Sequence, residues 1–537
     1  MSSTHTIVQR AKVAVIGAGP TGLSILKTLT EDGFQVALYE RRSQVGGLWA
    51  YTENPAWTTA LKTTTSLISK YTCGFSDFPM PDKYPCHMSP RDFQEYMEDY
   101  ARHFDMLKYC SFNTSVRKIY RNTDNTRWVV ELEREGGAEE AVEYDRVVVC
   151  NGYQTKARMP KFEGQELFEG VIMHGQQYRG PEPFKDQNVV ILGLCSSSGD
   201  IIPTLMPVAS HVWVSHRRGS VFATRFYKGT PAHLPITWRR RNIGMALQRW
   251  FPSLVRFGGD IGIKFLSRKL LGGKPDPAWG IEPYPSPTLN LPGVWERALP
   301  YLKDGSLTSL KGVKRFLGPK SIEFTDGTIL EDIDAVIMTT GYDADFSLLD
   351  PEVIERSRPD IDWYKGEDMY RLWMNMFPPR WADSIAVLNY SAFGKANGFS
   401  FADVNSMAIS NVWRGIEPFP SAEEMEHHID EHQLWIANRW RIDPNTPTSA
   451  VKTWEYQGWL HKSAGTGMDN LGWGWKGWKF WWQDRKMYKL MNDGIETAHM
   501  YRFFESDRRR AWPGARDAIV HMNEVVQKTF PLPEKRE

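Results

Sequence analysis

Two glycine-led turns carry the chemistry that this sequence can do. Gly17-Ala18-Gly19-Pro20-Thr21-Gly22 follows the apolar run Val13–Ile16 and precedes Leu23–Leu29, which is apolar at helical spacing. A strand that turns in this way into a helix presents backbone N–H groups to a phosphate. Gly17 permits the tight turn, Gly19 lets a pyrophosphate approach the backbone, and Gly22 lets the helix close on the strand. A second strand, Val36–Tyr39, ends in Glu40, placed to accept from a ribose hydroxyl. The other turn, Gly193-Leu194-Cys195-Ser196-Ser197-Ser198, follows Val189–Leu192 and keeps only its first glycine. A Cβ at Cys195 is expected to crowd a pyrophosphate and to exclude positive φ, while the serines return hydroxyl and backbone donors. After the next strand come Arg217 and Arg218, suited to a 2′-phosphate and so to NADP rather than NAD. A solvated basic turn is the alternative for this pair. Cys195 as a reactive thiol at a helix N-terminus is a further alternative, weakened by the lack of a nearby partner cysteine.

These turns belong to a repeat. Asp145-Arg-Val-Val-Val-Cys-Asn-Gly-Tyr153 and Asp334-Ala-Val-Ile-Met-Thr-Thr-Gly-Tyr342 share one pattern, and each follows a hairpin-like stretch downstream of a glycine turn. The sequence therefore predicts an α/β fold with two Rossmann-like dinucleotide-binding domains, the second inserted in the first, and a helical Trp-rich C-terminal region. The expected divisions are 1–159, 160–345 with a basic insert at about 225–290, and 346–537.

The bulk properties narrow the function classes. The 65 basic and 64 acidic residues nearly cancel, so no global field recruits nucleic acid or anionic lipid. Five widely spaced cysteines fit reduced thiols in a cytoplasmic protein, and no cluster has metal-ligand spacing. No apolar run reaches the length that spans a bilayer, and the N-terminus lacks the apolar core of a signal peptide. Six of the 22 tryptophans fall within 459–482, where a rigid aromatic core or pocket wall is expected. Residues 238–273 mix apolar and basic types. Such a stretch can lie on a membrane surface, but the expectation here is that its apolar side packs on the body of the protein. Pro283–Pro287 then reads as an extended loop, and the insert as a lid over a substrate entrance.

The chain resembles the flavin-containing monooxygenases. Gly46-Gly47-Leu48-Trp49 resembles their turn beside the flavin, and Phe75-Ser-Asp-Phe-Pro-Met-Pro81 their segment of that composition. Phe168-Glu-Gly-Val-Ile-Met-His174-Gly-Gln-Gln-Tyr178 satisfies the family fingerprint. Thr339-Thr340-Gly341-Tyr342 with Phe346 and Leu349 resembles the return to the flavin domain, and Tyr501–Arg516 the tail of soluble microbial members. The resemblance implies FAD held by Gly17, Ala18, Gly19, Pro20, Thr21, Gly22, Glu40, Gly47, Leu48, Trp49 and Val116. It implies NADPH held by Gly193, Cys195, Ser196, Ser197, Ser198, Asp200, Arg217 and Arg218, with Thr340 and Gly341 at the return. His174 and Tyr178 are expected between the domains.

The implied reaction reduces FAD with NADPH and captures O2 as a C4a-hydroperoxyflavin. The terminal oxygen then passes to nitrogen or sulfur of a small organic substrate. The cofactor carries this chemistry, which leaves no catalytic side chain to name. Tyr178 stands where related Baeyer–Villiger enzymes, which act on ketones, usually carry Trp; that reading stays as the alternative. Near the flavin the family's Asn falls on Leu67, with Thr65 and Ser66 beside it as candidates to replace its hydrogen bond. Leu67 is either drift at a tolerant position or a functional change toward NADPH oxidase activity. Expected partners are the substrate and O2, with a homodimer left open.

Overall fold

The computed structural model describes residues 11–290, 292–390 and 398–531. Its first strand, β1 (Lys12–Ile16), leads through Gly17 into α1 (Pro20–Glu31), with proline in the first turn, where its missing N–H costs nothing. Then come β2 (Gln35–Tyr39), α2 (Pro90–His103), β3 (Cys110–Ser111) and an antiparallel meander of β4 (Thr114–Arg121), β5 (Trp128–Arg134) and β6 (Glu139–Tyr144). The buried strand β7 (Arg146–Val149) follows, and β8 (Lys156–Ala157) leaves the unit.

The second unit repeats this plan. It contains β9 (Val171–His174), β10 (Asn188–Leu192), α3 (Ser196–Leu205) and β11 (His211–His216). Two helices of the insert follow, α4 (Trp238–Trp250) and α5 (Pro252–Leu271), then β12 (Thr308–Lys311). A second meander of β13 (Val313–Gly318), β14 (Ser321–Phe324) and β15 (Ile329–Leu330) precedes the buried β16 (Ala335–Met338). The return strand β17 (Tyr342–Asp343) pairs antiparallel with β8, so the outgoing and returning chains cross side by side. The first sheet is completed by β18 (Ile385–Val387).

The two parallel sheets run β18-β7-β1-β2-β3 and β9-β16-β10-β11-β12, the same order of equivalent strands. Both central strands alternate between two cores: Val13 and Val15 face one side, Ala14 and Ile16 the other, and Val189 and Ile191 oppose Val190 and Leu192. Burial on both faces explains why these strands are apolar throughout. The repeated aspartates have the same task. Asp145 accepts from the backbone N–H of Lys12 at 2.8 Å and Asp334 from that of Asn188 at 2.9 Å, each fastening the start of its central strand.

The C-terminal region is helical: α6 (Gly398–Trp413), α7 (Ala422–Ile442), α8 (Thr453–Ala464), α9 (Trp475–Gln483), α10 (Arg485–Asp493) and α11 (Ala515–Thr529). Helix α6 lies against α1, where Thr28 and Ser406 hydroxyls meet at 2.7 Å and Ser24 donates to Asp403. Asp77 joins this region to α1, accepting from Lys27 at 2.6 Å and Arg502 at 2.9 Å. The expected aromatic core in 459–482 is present only in part. Trp459 packs edge-on against Trp373, but Trp473, Trp475, Trp478 and Trp482 are exposed.

Candidate functional site

The first turn forms a cradle that only glycine allows. A Cβ on Gly17, at φ +106°, would stand 2.7 Å from the Cys150 carbonyl oxygen, and one on Gly22 would stand 1.8 Å from that of Gly17. Across the cradle Gly47 approaches Gly19 so closely that its own Cβ would lie 2.9 Å from the Gly19 Cα. No side chain therefore intrudes between the start of α1 and the Gly46–Trp49 turn, which is the shape a pyrophosphate needs. Glu40 is buried beside it and accepts from the backbone N–H groups of Ala18 (2.7 Å) and Arg42 (2.9 Å), with lone pairs left for a ribose. Trp49 packs on Phe93 at 4.4 Å between ring centres, and Val116 lies on β4 at the break in its register with β5.

Arg42 is a residue that sequence reasoning missed. Its guanidinium donates to the carbonyls of Gly47 (2.7 Å), Ala50 and Thr58 (2.6 Å), holding the whole Gly-Gly-Leu-Trp turn. Burial lowers it to about 10, still charged at neutral pH. Only its place after Glu40 hinted at this, and neighbouring Arg41 had the same claim.

The second turn is the same device with altered parts. Gly193, at φ +124°, abuts Thr339 as Gly17 abuts Cys150; an added Cβ would meet the Thr339 carbonyl at 2.7 Å. Cys195 corrects an expectation. It caps α3 at φ −102° and ψ −171°, extended backbone open to any residue, so its Cβ causes no backbone strain. Gly19 has nearly the same geometry, φ −75° and ψ −178°. What remains of the objection is steric, because the Cys195 side chain is exposed at the mouth of the turn. Ser196 and Ser197 lead the helix, with Ser197 exposed, whereas Ser198 is buried and donates back to the Cys195 carbonyl at 2.7 Å. Trp295 Nε1 donates to that same carbonyl at 2.9 Å.

The arginine pair separates. Arg218 is committed to the buried Asp443 at 2.6 Å, a contact reaching into the C-terminal region. Arg217 is exposed and makes no ion pair among the described residues, so it alone is free for a 2′-phosphate.

The segment 63–69 lies against the helix of the second turn and the insert. Thr64 donates to Asp200 on α3 at 3.0 Å, and burial raises the Asp200 carboxyl although this hydrogen bond opposes it. Arg225 of the insert is buried, donating from Nε to the Ser66 carbonyl (3.0 Å) and from Nη2 to the Thr65 carbonyl (2.9 Å). Its Nη1 pairs with Glu296 at 2.7 Å. Burial acts to raise Glu296, but the Arg225 donors and Thr224 overcome it and hold the carboxyl below its usual range. Arg297 adds a bond to the Thr63 carbonyl at 2.9 Å, and His233 accepts from the Ser69 backbone N–H at 3.3 Å. Burial, with His87 beside it, lowers His233 to about 4. The Ser66 hydroxyl is used internally, donating to the Ile68 carbonyl and accepting from the Met88 N–H. Leu67 is the exposed member of this clamped segment, 46 % accessible, and nothing polar replaces the missing amide on its side chain.

The crossing between domains is also reassigned in part. His174 ends β9 against the Gly341 backbone and the Tyr342 ring, 5.1 Å between centres, and burial keeps it neutral. Thr340 donates to the Arg158 carbonyl, and the Arg158 N–H to the Gly341 carbonyl at 3.0 Å. Tyr178, expected between domains, instead lies inside the second one: its hydroxyl meets Thr204 on α3 at 2.6 Å and its ring stacks on Phe184. The contacts across the seam come from its neighbours. Gln176 donates to Thr58 Oγ1 (2.5 Å) and the Thr155 carbonyl (2.8 Å), and Arg179 to the carbonyls of Asn54 and Trp57. Gln176 is an unspecified position of the fingerprint and Arg179 lies just beyond it, so the motif could not single them out.

Two nucleotide cradles of one plan, with all five cysteines free, fit a flavoprotein that exchanges electrons with a nicotinamide and has no disulfide centre. The chain belongs to the flavin-binding monooxygenase-like family, whose profile matches residues 10–532. It is 33 % identical over 525 residues to Monooxygenase aurF of Gibberella zeae, covering 96 % of this chain and 98 % of that protein. It is 32 % identical over 447 residues to human flavin-containing monooxygenase 5, covering 80 % and 78 %. Among solved structures, S-allyl-L-cysteine S-oxygenase from Allium sativum aligns over 97 % of this chain and 99 % of its own, at 20 % identity and a TM-score of 0.61. Cyclohexanone monooxygenase from Rhodococcus bound to NADP+ aligns over 86 % and 97 %, at 17 % identity and a TM-score of 0.59. The protein is an FAD-dependent monooxygenase that uses NADPH and O2.

Proposed function

We propose that this enzyme oxygenates nitrogen or sulfur in a small organic molecule. FAD supplies the oxygen activation when bound; the side chains bind, orient and keep the seam dry. In this reading Gly17–Gly22, Glu40 and the Gly47–Trp49 turn hold FAD, and the Gly193–Asp200 turn with Arg217 holds NADPH. The observation that carries the proposal is the segment Thr64–Leu67. It is held by Asp200 of the second cradle and by Arg225 of the insert, and it offers an apolar side chain, with His87 and His233 beside it disfavoured as cations by burial. A lone pair on nitrogen or sulfur can take oxygen without a side-chain acid or base. The name of the Allium S-oxygenase supports the same reading, and Tyr178 agrees with it.

Leu67 favours a second reading, an enzyme that consumes NADPH and releases peroxide, because its side chain cannot hydrogen-bond a flavin carbonyl. Turnover with a thioether, a tertiary amine and a cyclic ketone, with peroxide measured alongside, separates these outcomes. S- or N-oxide in proportion to NADPH consumed supports the proposal; lactone as the main product overturns it. Peroxide equal to NADPH with every substrate, reduced severalfold in Leu67→Asn, assigns the enzyme to the second reading.

A further inference from the structure

The helices of the insert leave their apolar side outside. Leu254, Phe257, Ile261 and Phe265 recur every three or four residues on α5 and point into solvent, which overturns the expectation that the insert buries this side. The chain at the two ends of the insert, Thr224–Arg225 and Gly293–Arg297, is what reaches the second glycine turn and the segment 63–67.

Gly293–Trp295 lies directly on the backbone of that turn. A Cβ on Gly293 would stand 2.7 Å from the Leu194 carbonyl oxygen. One on Gly199, near the start of α3, would stand 2.6 Å from the Val294 carbonyl oxygen and 2.9 Å from Trp295 Cδ1. The Trp295 indole is fully buried there, and its Nε1 donates to the Cys195 carbonyl at 2.9 Å. That carbonyl also accepts from the Ser198 hydroxyl at 2.7 Å and the Gly199 N–H at 3.2 Å, so it is satisfied without the indole. What Trp295 adds is a link from the turn to the residues behind it.

Those residues hold the other side. Ala298 and Leu299 both donate from their N–H groups to the Trp295 carbonyl, each at 2.9 Å, which draws 295–299 into one tight turn. Arg297 donates to the Thr63 carbonyl, and Glu296 holds Arg225, which donates to the Thr65 and Ser66 carbonyls. Asp200, on α3 itself, accepts from Thr64. Four consecutive residues are thus held from the second unit, and the next one is Leu67. The first unit holds the segment at Ser66, whose N–H donates to the Met88 carbonyl at 2.9 Å and whose carbonyl meets His87 Nδ1 at 2.9 Å. A ligand that fixes the backbone of the second turn fixes the Cys195 carbonyl, and through Trp295 the side chains that hold 63–66.

We propose that Trp295, with Glu296 and Arg297 behind it, is a positioning residue that makes the placement of Thr63–Leu67 depend on a nicotinamide nucleotide in the Gly193–Asp200 turn. The proposal rests on the reading that this turn holds NADPH. The test is hydrogen–deuterium exchange of the full-length, FAD-loaded enzyme with and without saturating NADP+. In the wild type, NADP+ should slow exchange at least about threefold in peptides covering both 193–200 and 61–70. W295F keeps a ring in the buried site without its donor. It should retain the protection at 193–200, while the NADP+ effect at 61–70 shrinks to within about 1.5-fold. R297M, at an exposed position, should give the same pattern, and R297K, which keeps a donor, should restore it. Protection of 61–70 by NADP+ in W295F and R297M equal to that in the wild type overturns the proposal. So does wild-type protection confined to 193–200. No wild-type protection at 193–200 would place the nucleotide elsewhere, and the reading and the proposal would fall together.

Discussion

Replacing Arg225 by methionine keeps an unbranched apolar stem and removes the guanidinium donors that hold Thr65 and Ser66. Three contacts disappear: those to the Ser66 and Thr65 carbonyls and the 2.7 Å pair with Glu296. Breaking a buried pair from one side costs about 3–5 kcal/mol, because the surviving charge is left without its partner. Here Glu296 keeps the Arg225 backbone N–H at 2.9 Å and the Thr224 hydroxyl at 2.7 Å, which places the cost near the low end, about 3 kcal/mol. At about 1 °C per kcal/mol for a chain of 537 residues the melting temperature should fall by about 3 °C. The double variant R225M/E296Q should recover about 1–2 kcal/mol of this, since it removes the stranded charge. The functional effect should be selective. Gly17, Glu40 and Arg42 make no contact with the clamp, so FAD content should persist while flavin reduction by NADPH slows about tenfold or more, as a displaced contact can cost far more than its own energy. A melting shift under about 1 °C together with an unchanged reduction rate would refute the idea that the insert positions this segment.

The repeat makes a paired prediction: Gly193→Ala should raise the Kd for NADPH at least about tenfold with flavin intact, and Gly17→Ala should instead yield protein poor in FAD. Flavin absorbance and NADPH titration distinguish them, and loss of the same cofactor from both would contradict the assignment. Cys195→Gly relieves no strained backbone, so only the exposed side chain is removed; NADPH should bind about three- to tenfold tighter, and an unchanged Kd would place the pyrophosphate elsewhere. His233 accepts from the Ser69 N–H and so needs an unprotonated Nε2. Its folded value, about 4, lies below its unfolded one, so the stability it contributes is complete above about pH 6.5 and is lost as pH falls toward 4. Between those limits the wild type should lose up to about 3 kcal/mol relative to His233→Asn in denaturant titrations, and parallel curves would rule out the His233 contact as the cause.

The legible part of the molecule was the part in which backbone conformation itself is the constraint. Gly17, Gly22 and Gly193 each lie against a carbonyl that no Cβ tolerates, and Asp145 and Asp334 fasten the same atom of equivalent strands. Such requirements leave a fixed residue type at a fixed offset, so the repeat and its two cradles could be read directly. The clamps were not legible, because an arginine reaching a carbonyl needs only length and charge. Arg42, Arg179 and Arg225 donate to backbone oxygens that any residue supplies, and in the last case the carbonyls lie some 160 positions away along the chain. Tyr178 shows the complementary limit: the fingerprint fixes its identity, but not which side of the seam its ring occupies.

The insert and the Trp-rich helix were misread for a different reason. A period of three or four residues identifies an apolar stripe on a helix, but the period is the same whether the stripe meets a core or faces out. Helix α5 carries both kinds of face, one through Asp260, Ser267 and Leu271 and one through Leu254, Phe257, Ile261 and Phe265. The fastening residues are the small and polar ones, so the rule that apolar residues turn inward pointed to the wrong side. Charge along the helices did not decide it either: of the eight bases in Trp238–Leu271, Arg239, Arg241 and Arg268 pair with Asp493, Glu496 and Glu282, acids outside those two helices that no periodicity within them reveals.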